Sequence, residues 1–114
     1  MVTVPLYEAK AELLKTLGHP ARIRVLELLS ERDHAVHELL AEIDLEPSNL
    51  SQHLAVLRRA GLVHQSRSGG EVVYALLIPE TRELLLAARS VLRNLLTDRD
   101  ALKNELGPAD EATR

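Results

Sequence analysis

Between Pro47 and Arg59 the run PSNLSQHLAVLRR places hydroxyl, amide and imidazole groups at Ser48, Asn49, Ser51, Gln52 and His53, followed by two adjacent cations, Arg58 and Arg59. These groups suit hydrogen-bonding recognition rather than bond breaking. Gln and Asn amides pair in bidentate fashion with the edge of adenine, and a Ser hydroxyl bonds a base or a phosphate. Arginines a turn or more later meet phosphate oxygens. At about 100° per helical residue, Leu50, Leu54 and Leu57 share one face. Ser48, Gln52 and Arg59 fall opposite, flanked by Asn49, Ser51 and His53. Taken alone, such a face is equally a solvated surface. Its charge context adds weight to recognition. From Pro47 to Ser68 the ionised residues are Arg58, Arg59 and Arg67, with no acid among them, although the whole chain carries −3. The stretch from Asp98 to Arg114 is mildly acidic, with Asp98, Asp100, Glu105, Asp110 and Glu111 against Arg99, Lys103 and Arg114.

These side chains need elements to hold them. Tyr7, Ala11, Leu14 and Leu17 recur at helical spacing, which predicts a helix from Leu6 to Leu17 closed by Gly18. Pro20 opens a second helix, since a first-turn proline sacrifices no hydrogen bond. This helix runs to Ser30 with Val25, Leu26, Leu28 and Leu29 inward, and Arg22 and Arg24 free to point elsewhere. Val36, Leu39, Leu40 and Ile43 form a short amphipathic helix, broken at Asp44-Leu45-Glu46-Pro47. The helix that starts at Pro47 ends near Ala60, before Gly61. Two short helices joined by a few residues make a helix-turn-helix unit.

After Gly61 the apolar period falls to two. Leu62 to Arg67 and Glu71 to Leu76 read as strands joined through Ser68-Gly69-Gly70, a hairpin or wing. Pro79 marks its exit. A long helix then runs from Glu80 to about Leu106, with a stripe of Leu84, Ala88, Val91, Leu92, Leu95 and Leu102 too long for a small domain to cover alone. Gly107-Pro108 stops it, leaving residues 108–114 as an expected disordered tail after one domain over 1–107. The fold class is mainly α with a small antiparallel β-hairpin, a winged helix-turn-helix.

Composition narrows the function classes. A chain of 114 residues, 46% apolar and 27% charged, is an ordinary globule of one domain. Phe and Trp are absent and Tyr occurs twice, so the core must be aliphatic. With no cysteine there are no disulfides, thiolate metal sites or thiol switches, which fits a reducing cytoplasm. The opening MVTVPLYEAKAELL does not read as a secretory signal. No apolar run reaches the roughly 18 residues of a membrane span.

Three segments in order carry a family resemblance: LGHPARIRVLELL (Leu17 to Leu29), LEPSNLSQHLAVLRRAGLV (Leu45 to Val63) and SRSGGEVVYALL (Ser66 to Leu77). Together they resemble the ArsR/SmtB repressors over most of the chain. The resemblance implies a homodimer that binds an imperfect inverted repeat of double-stranded DNA and represses transcription. It implies assembly through the first and last helices, here Tyr7 and Leu14 with Leu84, Ala88, Val91, Leu92 and Leu95. The family's base and phosphate contacts fall on Ser48, Asn49, Ser51, Gln52 and His53, and its wing arginine on Arg67. Glu46 departs from the pattern, standing where relatives often carry a serine or threonine cap.

Many relatives release DNA when metal binds. The matching positions of one such site are Ala35 and His37, and the last helix has no histidine. Both familiar sites are missing, so no cofactor is expected. His34 and His37, with Glu38 nearby, would supply two zinc ligands without a third, and read more simply as surface histidines at a helix start. His19 reads as a helix-start residue, His64 as a solvated or phosphate-facing strand residue, and Tyr74 as packing. An enzyme is not expected. There is no phosphate-cradling loop or nucleophile set, and Glu80 and Glu83 beside Arg82 suit a solvated first turn. A winged helix used for protein contacts remains as the competing class.

Overall fold

Proline and glycine set most element boundaries. The computed structural model describes residues 3–96 and residue 105. Helix α1 spans Leu6–Leu17 behind Pro5, with Gly18 as its C-cap. Helix α2 spans Pro20–Glu31, one residue beyond expectation. Strand β1 is His34–Ala35, helix α3 Val36–Glu42 and helix α4 Pro47–Arg59. Strands β2, Val63–Ser68, and β3, Glu71–Leu76, lead to helix α5, Glu80–Leu95. Helix α5 ends at Leu95 with Leu96 as its C-cap, short of the expected Leu106. Leu102 of the expected stripe and the tail at 108–114 lie outside the described residues.

The hairpin closes as its turn chemistry dictates. Gly69 and Gly70 both take positive φ, 58° and 84°. That combination makes the two-residue turn whose twist matches the flanking strands. The register runs from Val63 opposite Leu76 to Ser68 opposite Glu71. The sheet is larger than the expected hairpin. Strand β1 adds to the far edge of β3, pairing His34 with Tyr74 and Ala35 with Val73, so the order is β1-β3-β2.

This third strand overturns the reading of His34 as a surface residue. It is 3% exposed, and its Nδ1 lies 2.8 Å from the Arg32 carbonyl, to which it donates. Glu38 fixes the same corner. Its carboxylate accepts the Ala35 N–H at 2.8 Å and pairs with Arg32 at 3.2 Å. A third-position acid reaching back to the residue before a helix satisfies one of the orphan donors there.

The core is aliphatic, as composition required. Leu26, Leu39, Leu50, Leu54 and Leu57 are its largest fully buried leucines, contributed by α2, α3 and α4. Tyr74 joins them from β3. Helix α5 rests on α2, with Leu85 turned toward the core and Thr81 buried. Leu84, Val91, Leu92 and Leu95 are exposed instead, and so is Ala88. On α1 Leu17 is buried, whereas Tyr7 is 73% exposed and Leu14 57%.

Candidate nucleic-acid interface

Helix α4 presents two chemically distinct faces. Leu50, Leu54 and Leu57 anchor it with at most 1% exposure. Ser48, Asn49, Ser51 and Gln52 stand exposed, and among the described residues none of their side chains makes a hydrogen bond. Four hydrogen-bonding side chains are thus held outward on a helix anchored by three buried leucines. Arg58 and Arg59 are exposed in the last turn, where the helix dipole favours cations.

The departure at Glu46 leaves the helix start in place. Glu46 makes no side-chain cap, yet its carbonyl accepts the Leu50 N–H at 3.1 Å and Pro47 is the first helical residue. The fixed φ of proline does here what a capping side chain does elsewhere.

His53 is placed differently from its neighbours. It is half-buried, and its Nδ1 accepts the Arg22 Nε–H at 3.2 Å. Its ring lies 4.2 Å from that of His19. Burial, and then the charges of His19 and Arg22, hold its pKa below the usual imidazole value. Arg22 is therefore not free, as the helical pattern alone suggested. It also donates through Nη1 to the Thr16 carbonyl at 2.8 Å. Arg24 pairs with Glu27 at 3.3 Å. His19 caps α2 as expected, its Nδ1 accepting the Ala21 N–H at 3.1 Å.

The wing stands beside this helix. Arg67 is exposed on β2 opposite Val72, and its Nη1 lies 3.5 Å from the Gly70 carbonyl, too long for a strong bond. Its charge is therefore available to an outside anion. His64 is also exposed on β2. His37 forms a 3.1 Å contact with Glu71 at the start of β3, which ties α3 to the wing. One of the two candidate metal-binding histidines is thus buried and the other engaged with the wing. Among the described residues no group of three or more metal-ligating side chains occurs. No helix among them is long and apolar enough to cross a membrane.

Comparison with known proteins identifies the family of the chain. Residues 19–65 match the bacterial regulatory protein, arsR family. An uncharacterized HTH-type transcriptional regulator of Mycobacterium tuberculosis is 53% identical over 99% of this chain and 100% of its own length. The crystal structure of that regulator superposes with a TM-score of 0.76 at 56% identity, covering 85% of this chain and 98% of the other. The biofilm growth-associated repressor of Agrobacterium fabrum is 35% identical over 79% of this chain and 80% of its length. A homodimeric winged helix-turn-helix DNA-binding domain from Mycobacterium bovis matches with a TM-score of 0.70, covering 82% of this chain and 88% of its own. At 23% identity that last likeness is one of fold.

Proposed function

Because this chain belongs to the arsR family of bacterial regulatory proteins, DNA-binding transcriptional regulators rather than enzymes, we propose that it is a homodimeric repressor reading an imperfect inverted repeat. Helix α4 enters the major groove of each half-site. Ser48, Asn49, Ser51 and Gln52 meet base edges, while Arg58, Arg59 and the wing residue Arg67 meet phosphates. The observation that carries this reading is the outward polar face of α4, held by buried leucines within a stretch free of acids.

What the protomer leaves uncovered supports dimerisation. Tyr7 and Leu14 on α1, and Leu84, Val91, Leu92 and Leu95 on α5, expose apolar area that a monomer has no partner for. To read half-sites one helical turn of DNA apart, such a dimer must hold its two copies of α4 roughly 34 Å from each other.

Selection of duplexes from a random library with the full-length protein tests this directly. Enrichment of an inverted repeat, protected in footprinting, is the expected result. Enrichment of nothing above random sequence would overturn it and favour a protein partner for the same face.

A further inference from the structure

Arg22 joins three helices through one side chain. It lies in the first turn of α2, donates through Nη1 to the carbonyl of Thr16 in α1, and through Nε to Nδ1 of His53 in α4. The two bonds leave from different nitrogens of one rigid, planar fork. The His53 ring is confined further by His19, whose own Nδ1 is occupied in capping α2. His53 can accept from Arg22 only with Nδ1 unprotonated. A bond from a charged donor in a half-buried place is stronger than a neutral one.

The position of His53 gives this contact leverage. It follows Ser51 and Gln52 directly on the reading helix. With side-chain tips about 6 Å from the helix axis, a rotation of α4 by about 10° moves a Gln52 amide by about 1 Å. A bidentate hydrogen bond does not tolerate such a displacement. The buried leucines resist sliding of α4, and the Arg22 contact opposes its rolling at a polar edge they do not reach.

We infer that Arg22 and His53 form a clamp that sets the rotation of the reading helix and joins it to α1, which makes both positioning residues rather than DNA contacts. The inference rests on α4 reading DNA. It takes His53 out of the base-reading set, leaving Ser48, Asn49, Ser51 and Gln52. It also gives the α1 end of the molecule a polar connection to that helix.

Full-length variants are compared on a duplex selected by the wild-type protein and on a random duplex of equal length, with thermal melting as a check on folding. Arg22→Lys keeps the charge but has one nitrogen for two acceptors, so it lowers the selected-to-random affinity ratio by about tenfold, as does His53→Ala. The double variant loses no more than either single one. His53→Asn, whose Oδ1 takes the place of Nδ1 as acceptor, keeps the ratio within about twofold. Multiplying losses in the double variant, or His53→Asn behaving like His53→Ala, would overturn the clamp. Should the Arg22 variants melt below the assay temperature, the comparison of His53→Asn with His53→Ala decides. An independent arm follows the His53 ring by NMR in the free protein. Its titration midpoint rises in Arg22→Gln, and an unchanged midpoint refutes the contact. If the wild-type protein selects no sequence, DNA reading itself fails, while the NMR arm still judges the contact.

Discussion

Tyr74 lies directly opposite Gln65 across the wing and donates its hydroxyl to Gln65 Oε1 at 2.8 Å. The ring of Tyr74 belongs to the core, and its backbone pairs with His34 on the other side. One residue thus holds the hairpin to the body and squares its two strands. Tyr74→Phe keeps the packing and removes the bond. It is expected to cost about 1 kcal/mol of unfolding free energy, read from urea denaturation, with an unchanged denaturant slope.

The division of labour at the interface has a separate signature for each group. Gln52→Ala is expected to lower discrimination between selected and random duplexes by about 1–3 kcal/mol. Arg67→Ala is expected to weaken both alike. Three arginines on each of two protomers predict a slope of log K against log salt of about −5, and Arg67→Ala should reduce its magnitude. Fluorescence anisotropy over a salt series measures both. A slope near zero, or equal effects of the two substitutions on discrimination, contradicts the assignment.

Assembly is expected to depend on side chains that the protomer does not use. Leu95→Glu and Tyr7→Glu place charge where each residue is more than two-thirds exposed. Sedimentation should show a shift from dimer toward monomer, and helical circular dichroism should fall by no more than the share of α1. Leu54→Ala is the contrasting case. It opens a cavity at a fully buried site and should cost about 2–5 kcal/mol of stability.

Stability is expected to fall toward acid in two steps. His53 has a folded pKa below the usual 6.5, chiefly through burial and then through His19 and Arg22, the titratable and charged groups that face it. The unfolded chain therefore takes the proton first, and stability declines as pH falls from 6.5 toward the lower folded value. Glu38 is likewise held below 4.5, first by the Ala35 N–H and then by Arg32. Its contribution is present above that value and is lost as pH falls through the folded pKa. Denaturation series between pH 8 and pH 3 should show the upper step flattened in His53→Asn and the lower one in Glu38→Gln.

What could be read from one dimension was whatever local chemistry decides. Pro20 and Pro47 open helices, Gly18 and Gly61 end them, and Gly69-Gly70 closes the hairpin, because each acts through its own backbone. The outward placement of Ser48, Asn49, Ser51 and Gln52 followed from helical period and the leucines behind them. Strand β1 was not legible, since two residues have no period and its partner Tyr74 lies 40 positions further on in the sequence. The burial of His34 was hidden with it. The contact between Arg22 and His53 spans 31 positions and depends on how α2 crosses α4, so spacing alone left Arg22 looking free.

Helix α1 carries one more consequence. Of its twelve residues Leu17 alone is buried among the described residues. A helix of about that length is marginal in water without tertiary cover. In a lone protomer α1 should therefore open by itself, at low free energy, with amide exchange far faster than in α4. Dilution would then act on secondary structure as well as on association, and a dissociated protomer would lose the helix whose Thr16 carbonyl receives Arg22.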